Sequence, residues 1–352
     1  MLTRDNSPEN VMGLNGFEFV EFTGPDTDEM GRQLEQMGFV PAARHPSKDI
    51  VRYKQGHINF LINRAATEQA TAFAAAHGPS ANGMAFRVAD AKAAYDLALA
   101  NGARSADARA GALGDGYVLE GIGGSLLYLI DHDVYAGWDA LPGAAEAEAA
   151  NSVGFGIIDH LTHNVRRGEM RTWSTFYRQV FGFEEQKYFD IKGQATGLFS
   201  QAMIAPDGAI RIPLNESQDD TSQIEEFLRQ YNGEGIQHIA LTTDDIFETV
   251  EKLRARGVKL QDTIETYYDL VDKRVPGHGE DLERLRKNRI LIDGNVGDEG
   301  ILLQIFTENT FGPIFFEIIQ RKGNTGFGNG NFQALFESIE LDQIRRGVIK
   351  VA

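Results

Sequence analysis

Short, densely apolar runs alternate along the chain with stretches in which apolar residues recur three or four positions apart. Met84-Ala85-Phe86-Arg87-Val88 is one such run and predicts a strand, followed by a polar Asp90. From Ala91 the apolar positions Tyr95, Ala98 and Leu99 fall at helical spacing, and Asn101-Gly102 supplies the stop. The same order returns later. His238-Ile239-Ala240-Leu241-Thr242 predicts a strand, Asp244-Asp245 follows, and a helix from Ile246 stops at Gly257. Asp90 and Asp245 are 155 positions apart, as are Gly102 and Gly257. An acidic cap and a glycine stop that recur in register mark an internal repeat.

Two further matches extend it. A strand, a turn with Gly24, a helix and Gly38-Phe39 reappear around His160, Gly168 and Gly182-Phe183, with both glycine pairs 144 apart. The run from Gly123 to Ile130 likewise resembles that from Gly312 to Ile319. Each half therefore reads as a pair of strand–helix–strands modules. This predicts an α+β chain of two open, barrel-like domains, 1–135 and 156–352, each able to curl its sheet around a central cavity. Residues 136–155, Ala/Glu-rich in the middle, read as the linker. Beyond Asn331, the residues Phe332, Leu335, Phe336 and Ile339 share one helical face and predict a C-terminal helix. The loop before it, Gly326 to Phe332, sets two phenylalanines among three glycines and reads as a lid.

Composition narrows the function. At 352 residues the chain suits two domains. A formal net charge of −17 argues against nucleic acid and against an anionic membrane surface as partners. It also repels an anionic substrate at long range, so an acidic substrate must be held by something local such as a metal. The absence of cysteine excludes disulfides, iron–sulfur clusters and thiol nucleophiles. No long apolar run and no apolar N-terminal stretch occur, which gives the expectation of a soluble, cytoplasmic protein.

The repeat lets one half serve as a control for the other. His238 falls on Gly83, Glu317 on Tyr128 and His160 near Gly16. Glu317 sits inside Ile314-Phe315-Phe316-Glu317-Ile318-Ile319, where an unpaired carboxylate would cost several kcal/mol or be forced to protonate. Two histidines and one carboxylate, leaving a face of an octahedral metal open, form the facial triad of non-haem iron(II) oxygenases. His163 lies an odd number of residues from His160 and so faces the other side of its strand. Each ligand histidine is expected to open its strand, and Asp159 to face away from the site in a salt bridge or as a cap. Strand parity adds Phe315 beside Glu317, and Gln304 with Phe306. Gln304, Gln237, Gln223, Asn215 and Ser200 suggest a polar pocket without charges.

The segments IDHLTHNV, PLNE, GEGIQHIA, LLQIFT, FFEIIQRKG and GFGNGNF resemble, in order and separation, those of the bacterial 4-hydroxyphenylpyruvate dioxygenase family. The likeness runs over nearly the whole chain. It implies a vicinal-oxygen-chelate (glyoxalase-like) fold with the active centre in the C-terminal domain and a degenerate N-terminal one. It also implies iron(II) as cofactor, with His160, His238 and Glu317 as ligands. Ser200, Asn215, Gln223, Gln237 and Gln304 would form the polar pocket, with Phe306, Phe315, Phe327, Asn331 and Phe332 around the ring. The implied substrates are 4-hydroxyphenylpyruvate and dioxygen, the products homogentisate and carbon dioxide, and the assembly a homo-oligomer, dimer or tetramer. Hydroxymandelate synthase on the same substrate, an extradiol ring-cleaving dioxygenase and a metal-free binding protein of the same fold are the alternatives. The last would not need a triad in one half only.

Overall fold

A computed structural model describes residues 9–349 apart from 65, 108–110, 193–195, 264, 329, 332–342 and 345. The first half runs β1 (Phe17–Thr23), α1 (Thr27–Gln36), β2 (Val40–Arg44), β3 (Ile50–Gln55), β4 (Ile58–Asn63), α2 (Glu68–His77), β5 (Ser80–Arg87), α3 (Ala91–Ala100), β6 (Tyr117–Glu120), β7 (Leu126–Ile130), β8 (Asp139–Ala140) and α4 (Ala144–Asn151). The second runs β9 (Phe155–Val165), α5 (Met170–Phe181), β10 (Glu184–Lys192), β11 (Gly197–Ile204), β12 (Arg211–Ser217), α6 (Gln223–Tyr231), β13 (Gly235–Thr243) and α7 (Ile246–Ala255). It continues through three short helices, α8 (Thr266–Asp269), α9 (Val271–Arg274) and α10 (Leu282–Asn288), to β14 (Leu291–Asn295), β15 (Gly300–Phe306) and β16 (Phe315–Lys322). The repeated helix starts have one cause. Asp90 accepts from the Ala93 N–H and Asp245 from the Glu248 N–H, each satisfying a donor of the first turn.

Each half forms one eight-stranded sheet, ordered β6-β7-β5-β1-β4-β3-β2-β8 and β10-β11-β12-β9-β13-β16-β15-β14. Within a module the first strand pairs parallel with the last, as in β1 with β4 and β13 with β16. The modules join where their first strands pair antiparallel, β1 with β5 and β9 with β13. Side chains from seven strands of the second sheet line one cavity, so that sheet is curled into a half-barrel.

The two halves share a core. Phe22 packs edge-on against Phe311, Phe60 lies 5.9 Å from Phe316, and Phe86 meets Phe181 at 5.4 Å. The stretch expected to be a linker is built into the first half. Ala140 and Asp139 pair with Ala43 and Arg44, adding an edge strand, and Glu148 takes Lys54 at 2.8 Å and the Gly56 N–H at 2.9 Å. Its alanines and glutamates read as a connection because a two-residue strand carries no periodicity to detect. The predicted C-terminal helix over Phe332, Leu335, Phe336 and Ile339 lies outside the described residues.

Candidate active site

Strand β13 runs between β9 and β16, and its register decides what meets. Ala240 stands opposite His160 on one side and Glu317 on the other, while His238 stands opposite Thr162 and Phe315. Cross-strand partners share a face, and residues two apart along a strand do as well. His160, His238 and Glu317 therefore project from the same concave surface, with only the Ala240 methyl between two of them. Glu317 Oε2 lies 3.1 Å from His160 Nε2 and 3.3 Å from His238 Nε2, and the two Nε2 atoms are 3.3 Å apart. All three side chains are buried.

The outer atom of each is tied down. His160 Nδ1 donates to Asp159 at 2.8 Å, His238 Nδ1 donates to the Gln237 amide oxygen at 2.9 Å, and Gln304 Nε2 donates to Glu317 Oε1 at 2.6 Å. With both Nδ1 atoms protonated outward, both Nε2 lone pairs face inward, alongside a carboxylate oxygen and the Thr162 hydroxyl at 3.0 Å from His238. Burial pushes Glu317 up, but attraction and hydrogen bonding to the imidazoles when these carry a proton on Nε2 more than offset it and hold its pKa at about 2; a cation would take that proton's place. Burial also pulls His160 down, yet the Glu317 and Asp159 carboxylates outweigh it and leave that pKa raised; in His238 burial prevails and the pKa is lowered. The geometry is a nest of converging acceptors with a net negative charge, and a divalent cation fits it.

Asp159 corrects the expectation that it faces away. It does carry a salt bridge, a two-pronged one at 2.8 Å to Arg321, but its Oδ1 also turns back on the His160 ring. Arg321 then donates to the backbone carbonyls of Asn324 and Gly326, at the start of the glycine-rich loop. His160 and His238 both stand inside their strands, β9 and β13, and do not open them. The antiparallel register puts Phe19, not Gly16, at the place of His160, since Phe19 faces Ala85 as His160 faces Ala240. The helix side of β9 takes His163, whose Nε2 meets the Tyr177 hydroxyl at 2.7 Å; burial lowers its pKa to about 3.

The cavity above the triad brings together Ser200, Gln304, Phe306 and Phe327 from the expected set. It adds Thr162, Phe189, Ala202 and Pro213, which sequence reasoning missed. Thr162 was findable, since it lies two residues beyond His160 on one strand face. Phe327 sits edge-on to His160 at 5.4 Å, and Phe315 stacks on His238 at 5.0 Å. Asn331 donates to Gln304 at 3.0 Å, behind the wall. Asn215 is buried directly opposite Ser200, and Ser200 Oγ and Asn215 Oδ1 lack a protein hydrogen-bond partner among the described residues. The next strand continues the row with Asn164, opposite Asn215, whose amide is equally unpartnered. Buried orphans of this kind point to a polar ligand group. Gln237 acts on His238 instead of walling the cavity, and Gln223 starts α6 outside the cavity lining. Phe332 lies outside the described residues.

Paired modules, a curled mixed sheet and three donors on neighbouring strands define the vicinal-oxygen-chelate class. Residues 157–270 match the family described as Glyoxalase/Bleomycin resistance protein/Dioxygenase superfamily, and residues 8–141 match Hydroxyphenylpyruvate dioxygenase, HPPD, N-terminal. The chain is 57% identical to 4-hydroxyphenylpyruvate dioxygenase of Pseudomonas aeruginosa, over 97% of each sequence. It is 55% identical to hemolysin VllY of Vibrio vulnificus, over 97% of this chain and 99% of that protein. A variant of 4-hydroxymandelate synthase from Streptomyces coelicolor superposes with a TM-score of 0.80 at 27% identity, covering 94% of this chain and all of that one. The chain belongs to the 4-hydroxyphenylpyruvate dioxygenase family.

Proposed function

We propose that His160, His238 and Glu317 hold an iron(II) ion and that the chain converts 4-hydroxyphenylpyruvate and dioxygen to homogentisate and carbon dioxide. The observation that carries this reading is the convergence of three metal-type donors, each oriented from behind by its own hydrogen bond. When bound, the ion would supply a Lewis acid for the oxo acid and a redox relay that passes electrons to dioxygen, the electrons themselves coming from the substrate as it loses carbon dioxide and its ring is oxidised.

The protein's own residues do the rest. Two neutral imidazoles and one carboxylate leave a divalent ion net positive, which suits an anionic oxo acid in a chain of charge −17. No lysine or arginine lines the cavity among the described residues, so the substrate's charge is met at the metal centre. Phe189, Phe306 and Phe327 present apolar surface to an aromatic ring. Ser200 Oγ in the cavity lining, with Asn215 Oδ1 on the neighbouring strand behind it, offers hydrogen bonding to a ring hydroxyl. Phe327, held over His160 by a loop that Arg321 anchors, keeps water from the reacting atoms.

Anaerobic reconstitution with iron(II), followed by 4-hydroxyphenylpyruvate and air, tests the proposal. Oxygen uptake should match substrate loss, and chromatography should show homogentisate; 4-hydroxymandelate as the product would move the chain to the synthase reaction. The cytoplasmic location expected from the lack of a long apolar run, and the homo-oligomer implied by the resemblance, belong to the same proposal, and fractionation and sedimentation velocity read them.

A further inference from the structure

The polypeptide between α7 and β14 is much longer than its counterpart between α3 and β6, and it carries α8, α9 and α10, which the first half lacks among the described residues. Tyr267 of α8 and Arg274 of α9 reach from this insertion to the metal site through a chain of hydrogen bonds. Arg274 donates to the Tyr267 hydroxyl, which donates to Asn331 Oδ1 at 2.8 Å. Asn331 Nδ2 donates to Gln304 Oε1 at 3.0 Å, and Gln304 Nε2 donates to Glu317 Oε1 at 2.6 Å.

The direction of this chain is forced. A guanidinium only donates and a carboxylate only accepts, so each amide between them has one workable orientation. Every bond therefore polarises the next toward Glu317. Asn331, Gln304 and Glu317 are all buried, and water does not compete for these groups. The Tyr267 hydroxyl accepts from the Ile292 N–H at 2.8 Å under the Arg274 guanidinium, 4.7 Å over its ring, and its single proton has the Asn331 Oδ1 at 2.8 Å as its nearer acceptor, ahead of the Ile292 carbonyl at 3.0 Å. Close approach is built into the backbone as well. A Cβ at Gly328, which has φ +67°, would lie 2.5 Å from Gln304 Oε1, and one at Gly330 would lie 2.7 Å from Arg274 Nη1.

We infer that Tyr267, backed by Arg274, is a positioning residue that sets the Glu317 carboxylate through Asn331 and Gln304. Occupying Oε1 leaves only Oε2 turned to the histidines, so Glu317 gives the metal one oxygen and the remaining positions stay open for substrate and dioxygen. Because Asn331 belongs to the glycine-rich stretch, the placement of that residue and the setting of the Glu317 carboxylate are linked. The inference rests on the proposed metal centre.

Cobalt(II) serves as the probe in the full chain. Tyr267→Phe keeps the ring and removes the one hydroxyl that drives the chain. It should speed cobalt release to a chelator by about tenfold, the low end for loss of an outer-shell partner, and shift the cobalt visible spectrum. The double variant Tyr267→Phe/Gln304→Leu should release cobalt no faster than Gln304→Leu alone, because both act through one chain. Should Tyr267→Phe not fold, Asn331→Asp makes the same test: it can accept from Tyr267 but has no amide proton for Gln304. Cobalt-loaded variants with wild-type release rate and spectrum overturn the inference. A wild-type chain that takes up no cobalt overturns the metal centre, and this inference with it.

Discussion

Glu317 touches both imidazoles through one oxygen and gives its other oxygen to Gln304. A buried anion beside two inward-facing lone pairs is stable only with a cation among them. Glu317→Gln keeps the shape and removes the charge, so metal content should fall by at least about 100-fold, the upper end for outer-shell losses being the lower bound for a ligand. Elemental analysis after gel filtration reads this, and stoichiometric iron in the variant would strike Glu317 from the ligand set. His163→Ala is the contrast. Its imidazole faces Tyr177 and not the triad, so iron should be retained, while the lost hydrogen bond and packing should cost about 1–3 kcal/mol in urea unfolding. Loss of iron from this variant with retention in His160→Ala would reverse the two assignments.

At the scale of elements, β16 is the part that joins chemistry to closure. Glu317, Ile319 and Arg321 alternate along one face, so the strand that presents a ligand also presents the cation that anchors the following loop. Arg321→Met should leave the Asp159 carboxylate buried without its main partner, at a cost of about 3–5 kcal/mol. Amide exchange in 324–328 should quicken with it, since two of that loop's carbonyls lose their donor. Exchange there at the wild-type rate would show that the loop holds itself. Helix starts at Asp90 and Asp245 were legible because a cap is a local hydrogen bond. The strands start earlier than the histidines, at Phe155 and at Gly235, and Gly235 makes room for the Tyr231 ring: a Cβ there would come within 2.4 Å of it.

In the whole molecule, the first half shows what the second would be without its ligands. Ala85 faces Tyr128 as Ala240 faces Glu317, with Gly83 and Phe19 where the histidines stand. Tyr128 fills the space, donating to the buried Glu21 at 2.8 Å and accepting from the Ala112 N–H at 2.9 Å; Asn63 and Asn82 complete the cluster at 2.8 Å each. Tyr128→Phe should therefore cost about 1–3 kcal/mol by calorimetry and leave iron content unchanged; iron loss would mean that this half takes part in the centre. The shared aromatic core makes the other prediction. Phe316 points away from the triad into Phe60 and Phe311, so Phe316→Ala should cost about 3–5 kcal/mol and loosen β16 from behind. A melting temperature within a degree of wild type would show that the halves are independent.

By itself the sequence determined the repeat, the module order, the caps and the three candidate ligands, because each rests on local periodicity or on a comparison of aligned positions. His238 against Gly83 and Glu317 against Tyr128 needed no coordinates. Tertiary structure decided what depends on register between strands far apart in the chain. It set His160 against Phe19, turned Asp159 back onto its neighbour, brought Arg321 to it across 162 positions, and placed Asn164 beside Asn215. It also gave Gln237 to His238 instead of the cavity, and linked Tyr267 to Glu317 through two intervening residues, Asn331 and Gln304. Side-chain parity tells which face a residue takes, but only strand pairing, fixed by the common core, tells what stands opposite it.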